Sequence, residues 1–102
     1  MNELIEHRVK SESNLNFELD RVLQNLDRAE SWVRYEHDLY SDALKGKNQK
    51  KIARYKASYD ESVKIRNDDR QEIRDYIEIG KIRNFTIQDY ILRDLECRAF
   101  II

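Results

Sequence analysis

The sequence predicts an all-α fold: a long antiparallel helical hairpin, coiled-coil-like, with short N- and C-terminal helices. Three observations carry that expectation. Pro is absent and Gly occurs twice in 102 residues, so the punctuation that strands and tight turns require is missing. Apolar residues recur at alternating steps of four and three over more than three heptads, which places them on one stripe of a helix. Leu, Ile, Val and Phe form about a quarter of the chain, a share that suits a packed core and not a disordered tail. At 12.4 kDa the expected organisation is one domain over residues 1–102, with no room for a second fold.

The first element, over residues 1–12, is a short helix with Leu4, Ile5 and Val9 on one side. The second, over 13–45, holds the clearest pattern: Leu15, Leu19, Val22, Leu26, Ala29, Val33, Glu36, Tyr40 and Ala43, all apolar except Glu36. Ser13 or Asn14 caps its start. About 30 residues at 1.5 Å each give a rod of ~45 Å. The rod ends near Lys45, where Gly46 supplies a left-handed residue and Lys45 and Lys47 suit the negative helix terminus.

The third element, over 48–80, shows Ile52, Tyr55, Tyr59, Val63, Ile73, Tyr76 and Ile77 at helical spacing, interrupted by a polar run from Arg66 to Gln71. The absence of Gly and Pro from that run favours one continuous helix ending at Gly80. The alternative is a break at 67–69, with Asp68 capping a new helix and Gln71 at its third position. The fourth element, over 86–100, starts with Thr86 as N-cap, Asp89 three residues on, and Phe85 and Tyr90 as a hydrophobic staple. Ile87, Ile91 and Leu95 then share a face, extended by Ala99 and Ile102 and flanked by Phe100 and Ile101.

A short connection at residues 46–47 makes the long helices antiparallel. It pairs residues whose numbers sum to about 95: Ala43 with Ile52, Tyr40 with Tyr55, Val33 with Ser62, Ala29 with Arg66, Val22 with Ile73. Arg66, opposite Ala29, is expected to pair with Glu30 or Glu36 as a register device. Two helices cannot enclose a core by themselves, so Trp32, Tyr35 and Leu39 on the flank need cover. The C-terminal helix or a second subunit supplies it, and a homodimer is the expected solution.

Lys and Arg number 19 and Asp and Glu 20, a net charge of −1, so neither wholesale DNA mimicry nor generic polyanion binding follows. The distribution is uneven. Residues 45–56 carry six basic groups and no acidic one: Lys45, Lys47, Lys50, Lys51, Arg54 and Lys56. A patch of that density holds a potential that the net charge conceals. Cys97 is the only cysteine, which excludes an intramolecular disulfide and a Cys-based zinc site within one chain. The first ten residues mix charge with apolar groups, unlike a secretory signal, and no stretch reaches the ~20 apolar residues that span a bilayer. A soluble cytoplasmic protein is expected, and the triplet Asn84-Phe85-Thr86 therefore carries no meaning as a glycosylation site.

No catalytic residue, metal ligand or cofactor is assigned. His7 and His37 lie in none of the helical metal-binding spacings. Glu3-Leu4-Ile5-Glu6 and Glu72-Ile73-Arg74-Asp75 have the form that all-α nucleotide pyrophosphohydrolases use to hold Mg²⁺. Here 65 residues separate the two pairs, far more than that family's pattern allows, so such a hydrolase is the remote alternative. The stretch from Asp27 to Tyr35 slightly resembles a helical stretch of the phage Gam proteins, dimeric inhibitors of a host nuclease. It covers under a tenth of the chain, and no residue role is carried over from it.

Two candidate surfaces remain. Trp32, Tyr35 and Leu39 form an aromatic flank of the kind that anchors a protein partner. The basic run, interleaved with Tyr55 and Tyr59, is suited to clamp phosphates or an acidic partner at the hairpin tip. The expected function is a non-catalytic helical interaction protein, an accessory regulator or inhibitor of the phage or mobile-element type. Nucleic-acid binding through the basic tip is the alternative.

Overall fold

The computed structural model describes residues 3–101; the expectations for Met1 and Ile102 lie outside them. Four helices follow in order, α1 (Glu3–Arg8), α2 (Glu12–Lys45), α3 (Gln49–Ile82) and α4 (Asp89–Cys97), with no strand among the described residues. The two long helices pack against each other, so the hairpin of the sequence reading is the fold. α3 runs without a break through the polar stretch at 67–69. The chain divides into two compact units, one made of residues up to Gln24 and from Gln71 onward, the other of Asn25–Arg70.

The first unit gathers α1, the start of α2, the end of α3 and α4 around an apolar core. Ile5, Val9, Leu15, Leu19, Val22, Leu23, Ile73, Tyr76, Ile77, Ile79, Ile91 and Leu95 are all buried. Gly80 belongs to this core and does not end α3. A Cβ there would stand 2.8 Å from Leu15 Cδ2, so the missing side chain is what lets the two helices close on each other. The helix continues to Ile82 and stops at Asn84, whose φ of 57° is left-handed. Phe85 N–H donates to Gly80 O (2.8 Å) and Asn84 N–H to Lys81 O (3.2 Å), the two bonds of a Schellman cap. α4 ends the same way, with Phe100 N–H on Leu95 O (2.9 Å) and Ala99 N–H on Glu96 O (3.1 Å). Ala99, at φ 63°, is the residue past the helix and not its extension.

The helix starts differ from expectation for two reasons: a different local cap begins α2, and tertiary partners replace the local cap of α4. α2 begins at Glu12, before a cap at Ser13 or Asn14 would allow, because Ser11 Oγ accepts from Asn14 N–H (3.1 Å) and Asn14 Oδ1 accepts from Lys10 N–H (3.0 Å). α1 therefore stops at Arg8, with Leu4 59% exposed and only Ile5 and Val9 turned inward. Arg83 donates to the carbonyls of Glu6 and Val9 and so satisfies the orphan end of α1. Thr86 does not cap α4. Gln88 is the N-cap, without a side-chain bond, and Tyr90 is 60% exposed, so no staple forms with Phe85. The buried Asn16 holds this loop instead: its Nδ2 donates to Thr86 O and to Glu12 O, both at 2.9 Å, and its Oδ1 accepts from Gln88 N–H at 2.8 Å. Glu12 accepts from Thr86 N–H.

One polar network edges the first core. Glu18 Oε2 accepts from Tyr76 Oη (3.1 Å) and from Arg21 Nη2 (2.6 Å). Glu72 faces Arg21 at 3.6 Å and Arg8 at 3.4 Å. Burial pushes the Tyr76 phenol above its ordinary range, and the bond to Glu18 raises Arg21 further. Leu15 with Gly80, and Glu18 with Tyr76, keep the register in which residue numbers sum to about 95.

The second unit consists of α2 from Asn25 and α3 as far as Arg70, joined through Gly46, Lys47 and Asn48. Leu26, Ala29, Val33, Glu36 and Ala43 of the predicted stripe are buried. From α3 only Ser62 is buried, its Oγ donating to Tyr59 O (2.7 Å), while Ile52, Tyr55, Tyr59 and Val63 are half-buried. Gly46 is not left-handed. Its N–H reaches back to Ala43 O (3.2 Å), tightening the last turn of α2, and Asn48 Oδ1 caps α3 by accepting from Lys51 N–H (3.2 Å).

Candidate functional site

The two candidate surfaces lie in the second unit. Along α2, Trp32, Tyr35 and Leu39 follow each other at steps of three and four, one stripe over from the buried seam. Trp32 is 38% and Tyr35 62% exposed, and Leu39 is half-buried. The cover that the sequence argument demands is therefore not supplied by the described residues. Trp32 is held in place by its indole N–H, which donates to Glu36 Oε1 at 2.9 Å. That bond also explains the one acidic residue in the apolar seam, because it satisfies the buried Glu36 carboxylate from within its own helix.

Two open grooves mark this flank. One, of about 500 Å³, is lined by Asn25, Arg28, Ala29 and Trp32 of α2 and Ile65 and Asp69 of α3. The next, of about 320 Å³, is lined by Tyr35, Glu36 and Leu39 with Arg54, Tyr55 and Ser58. The structure thus brings Tyr35 and Leu39 together with Arg54, a member of the basic run that the sequence reading treats as a separate surface, while Trp32 lines the other groove. It also adds Ile65 and Ser58, whose role was hidden because the α3 stripe is too polar to stand out. A signal existed on α2, since Asn25, Arg28, Trp32, Tyr35, Leu39 and Asp42 form a second stripe at steps of three and four.

Arg66 does not play its expected part. Its guanidinium turns to Asn67 Oδ1, at 3.3 and 3.4 Å. Glu30 is paired by Arg70, one turn further on, at 3.3 Å. In the hairpin register Arg70 stands level with Asn25, so its long side chain reaches back along α2 to meet Glu30.

All six basic residues of the tip are exposed. Two are partly neutralised within their own helix, Lys45 by Asp42 at 3.7 Å and Lys56 by Asp60 at 2.7 Å; the latter bond raises the Lys56 pKa. Lys51 and Arg54 stand 6.0 and 5.7 Å from the Tyr55 ring centre, within cation–π range. Lys47 and Lys50 are left to solvent.

Among the described residues no group of three or more His, Cys, Asp and Glu side chains comes together to hold a metal ion. Of the acidic pairs, Glu72 faces two guanidinium groups and Asp75 accepts from Gln71 Nε2 (3.0 Å). His37 lies 3.6 Å from Asp38 and edge-on to Tyr59, and Cys97 is exposed and free. No described helix is long and apolar enough to cross a membrane. Comparison with family models, with curated proteins and with solved structures returned no match.

Proposed function

We propose that this chain is a non-catalytic interaction protein, an accessory regulator or inhibitor that works by docking the flank of its two-helix unit against another protein chain. One observation carries the reading: Trp32 and Tyr35 stand exposed beside Leu39 on a face that no described residue covers. Trp32, held by its indole hydrogen bond to Glu36, is an efficient anchor, because little rotamer freedom is lost on binding. The carboxylates that a hydrolase would need at Glu72 and Asp75 are already engaged, which weighs against the Mg²⁺ alternative. Paired affinity capture tests the reading. A tagged wild-type chain is expected to retain a stoichiometric protein partner that a chain carrying Trp32→Ala and Tyr35→Ala loses at unchanged helicity. Equal recovery with both chains refutes it.

A second reading uses the tip, and the exposure of all six basic residues with Lys47 and Lys50 unpaired favours it. About four phosphate contacts per chain would give log K a slope of roughly −3.6 against log salt on duplex DNA. Replacing Lys50, Lys51 and Arg54 by Glu is expected to abolish such binding. No anisotropy change with duplex DNA at ~50 mM salt and micromolar protein removes this reading.

A further inference from the structure

We infer that the partner on this flank is a second copy of the same chain, packed on it by a two-fold axis that runs the two hairpins in opposite directions. The inference rests on the docking reading above and names its occupant. The first argument is area. A compact monomer of 12.4 kDa exposes about 6,100 Å² by the mass scaling of folded chains, whereas this chain exposes 7124 Å². The surplus of about 1,000 Å² is close to the ~800 Å² that each partner contributes to a stable interface of ordinary size.

The second argument is self-complementarity, which a two-fold interface demands because the same patch must fit itself. The second α2 stripe reads Asn25, Arg28, Trp32, Tyr35, Leu39, Asp42. Laid against its own reverse, it sets Trp32 over the partner copy's Tyr35 on both sides of the axis, puts Arg28 beside Leu39 and Asp42, and meets no like charge. The α3 side agrees. Arg54 lines the groove nearer the turn and Asp69 the groove further from it, so reversal brings each Arg54 toward an Asp69. With the hairpins parallel, the aromatic pair would face Ser58 and the region of Glu61, and the two tips, each with six basic and no acidic residues, would lie side by side. The reversed dimer keeps the tips apart and leaves their basic residues other than Arg54 outside the interface.

Sedimentation equilibrium of the full chain tests the inference over ~1 to 100 μM, the range in which a micromolar Kd is read. Twice the 12.4 kDa chain mass is expected at the upper end. Trp32 is the only tryptophan, so its emission should move to shorter wavelength over the same range. Tyr35→Glu, at a side chain that is exposed in the monomer, is expected to weaken association at least ~30-fold with helicity unchanged. Arg54→Asp and Asp69→Arg should each weaken it about 5-fold, and their combination should restore it. A chain that stays at 12.4 kDa throughout, or a dimer indifferent to Tyr35→Glu, overturns the assignment. If the mass stays monomeric while Trp32-dependent capture of a different protein persists, the docking reading stands without a second copy; loss of both removes both. A dimer sensitive to Tyr35→Glu in which the double charge reversal restores nothing overturns the reversed orientation.

Discussion

The two compact units are built from the same two long helices, yet they solve the burial problem differently. In the first, α1 and α4 add their apolar faces to the hairpin, and a dozen large side chains reach burial together. In the second, the hairpin stands with two helices only, and α3 contributes a single buried residue, Ser62. A pair of helices has one shared seam and two flanks, and a flank is covered only if a third element lies on it. The difference shows which flank is left without a third helix. Apolar side chains stay exposed in both units, Leu4, Phe17, Ile82 and Tyr90 in the first and Trp32, Tyr35 and Leu44 in the second, but in the second Trp32 and Tyr35 stand beside the half-buried Leu39 on a flank that no third helix covers.

The largest effect should separate the units directly. Ile73→Ala, in the first core, is expected to cost about 3 to 5 kcal/mol, because a fully buried methyl-rich side chain leaves a cavity that helices held on several sides cannot collapse. Leu26→Ala, in the seam of the second unit, is expected to cost about 2 to 4 kcal/mol, nearer the lower end, since two helices can relax toward each other. Urea midpoints of the two variants measure the contrast; equal losses would show that both units are packed alike, and an unchanged Leu26→Ala curve would remove the seam.

Asn16→Ala sharpens the comparison from the polar side. It leaves Gln88 N–H and two carbonyls without their buried partner, and about 2 kcal/mol should be lost. Hydrogen exchange at the Gln88 amide is expected to quicken selectively while amides of the second unit stay unchanged.

Tyr76 makes the first unit sensitive to alkali. Its phenol is pushed up by burial, so the neutral form is the one the fold favours. The stabilisation is complete below the unfolded value near 10 and is lost as pH rises from there through the raised folded value. Denaturation midpoints at pH 9 and pH 11 should fall further for wild type than for Tyr76→Phe, and identical falls would exclude this residue as the cause.

The smallest expected effect is a gain. Ala99 holds a left-handed conformation at φ 63°, which costs an alanine about 1 kcal/mol relative to glycine. Ala99→Gly should raise stability by up to about 1 kcal/mol, read as a small upward shift in melting temperature.

What the sequence by itself determined is the seam and its register. The alternating three- and four-residue steps from Leu15 to Ala43 mark residues that are buried nearly throughout, because helical periodicity is a local geometric fact that needs no knowledge of the partner. The same reasoning identified an aromatic flank in want of cover. What only the tertiary structure decided are the ends and the exchanges of partner. Gly80 looks like a stop in the sequence and is a point of close approach to Leu15; Thr86 looks like a cap and is one rung of a clamp built by Asn16 and Glu12 some 70 residues away. Arg70 displaces Arg66 at Glu30, and Arg54 joins the aromatic groove. Each of these depends on which residue of a distant helix arrives opposite, and a hydrogen bond or a methyl contact is available only once the packing has set that distance.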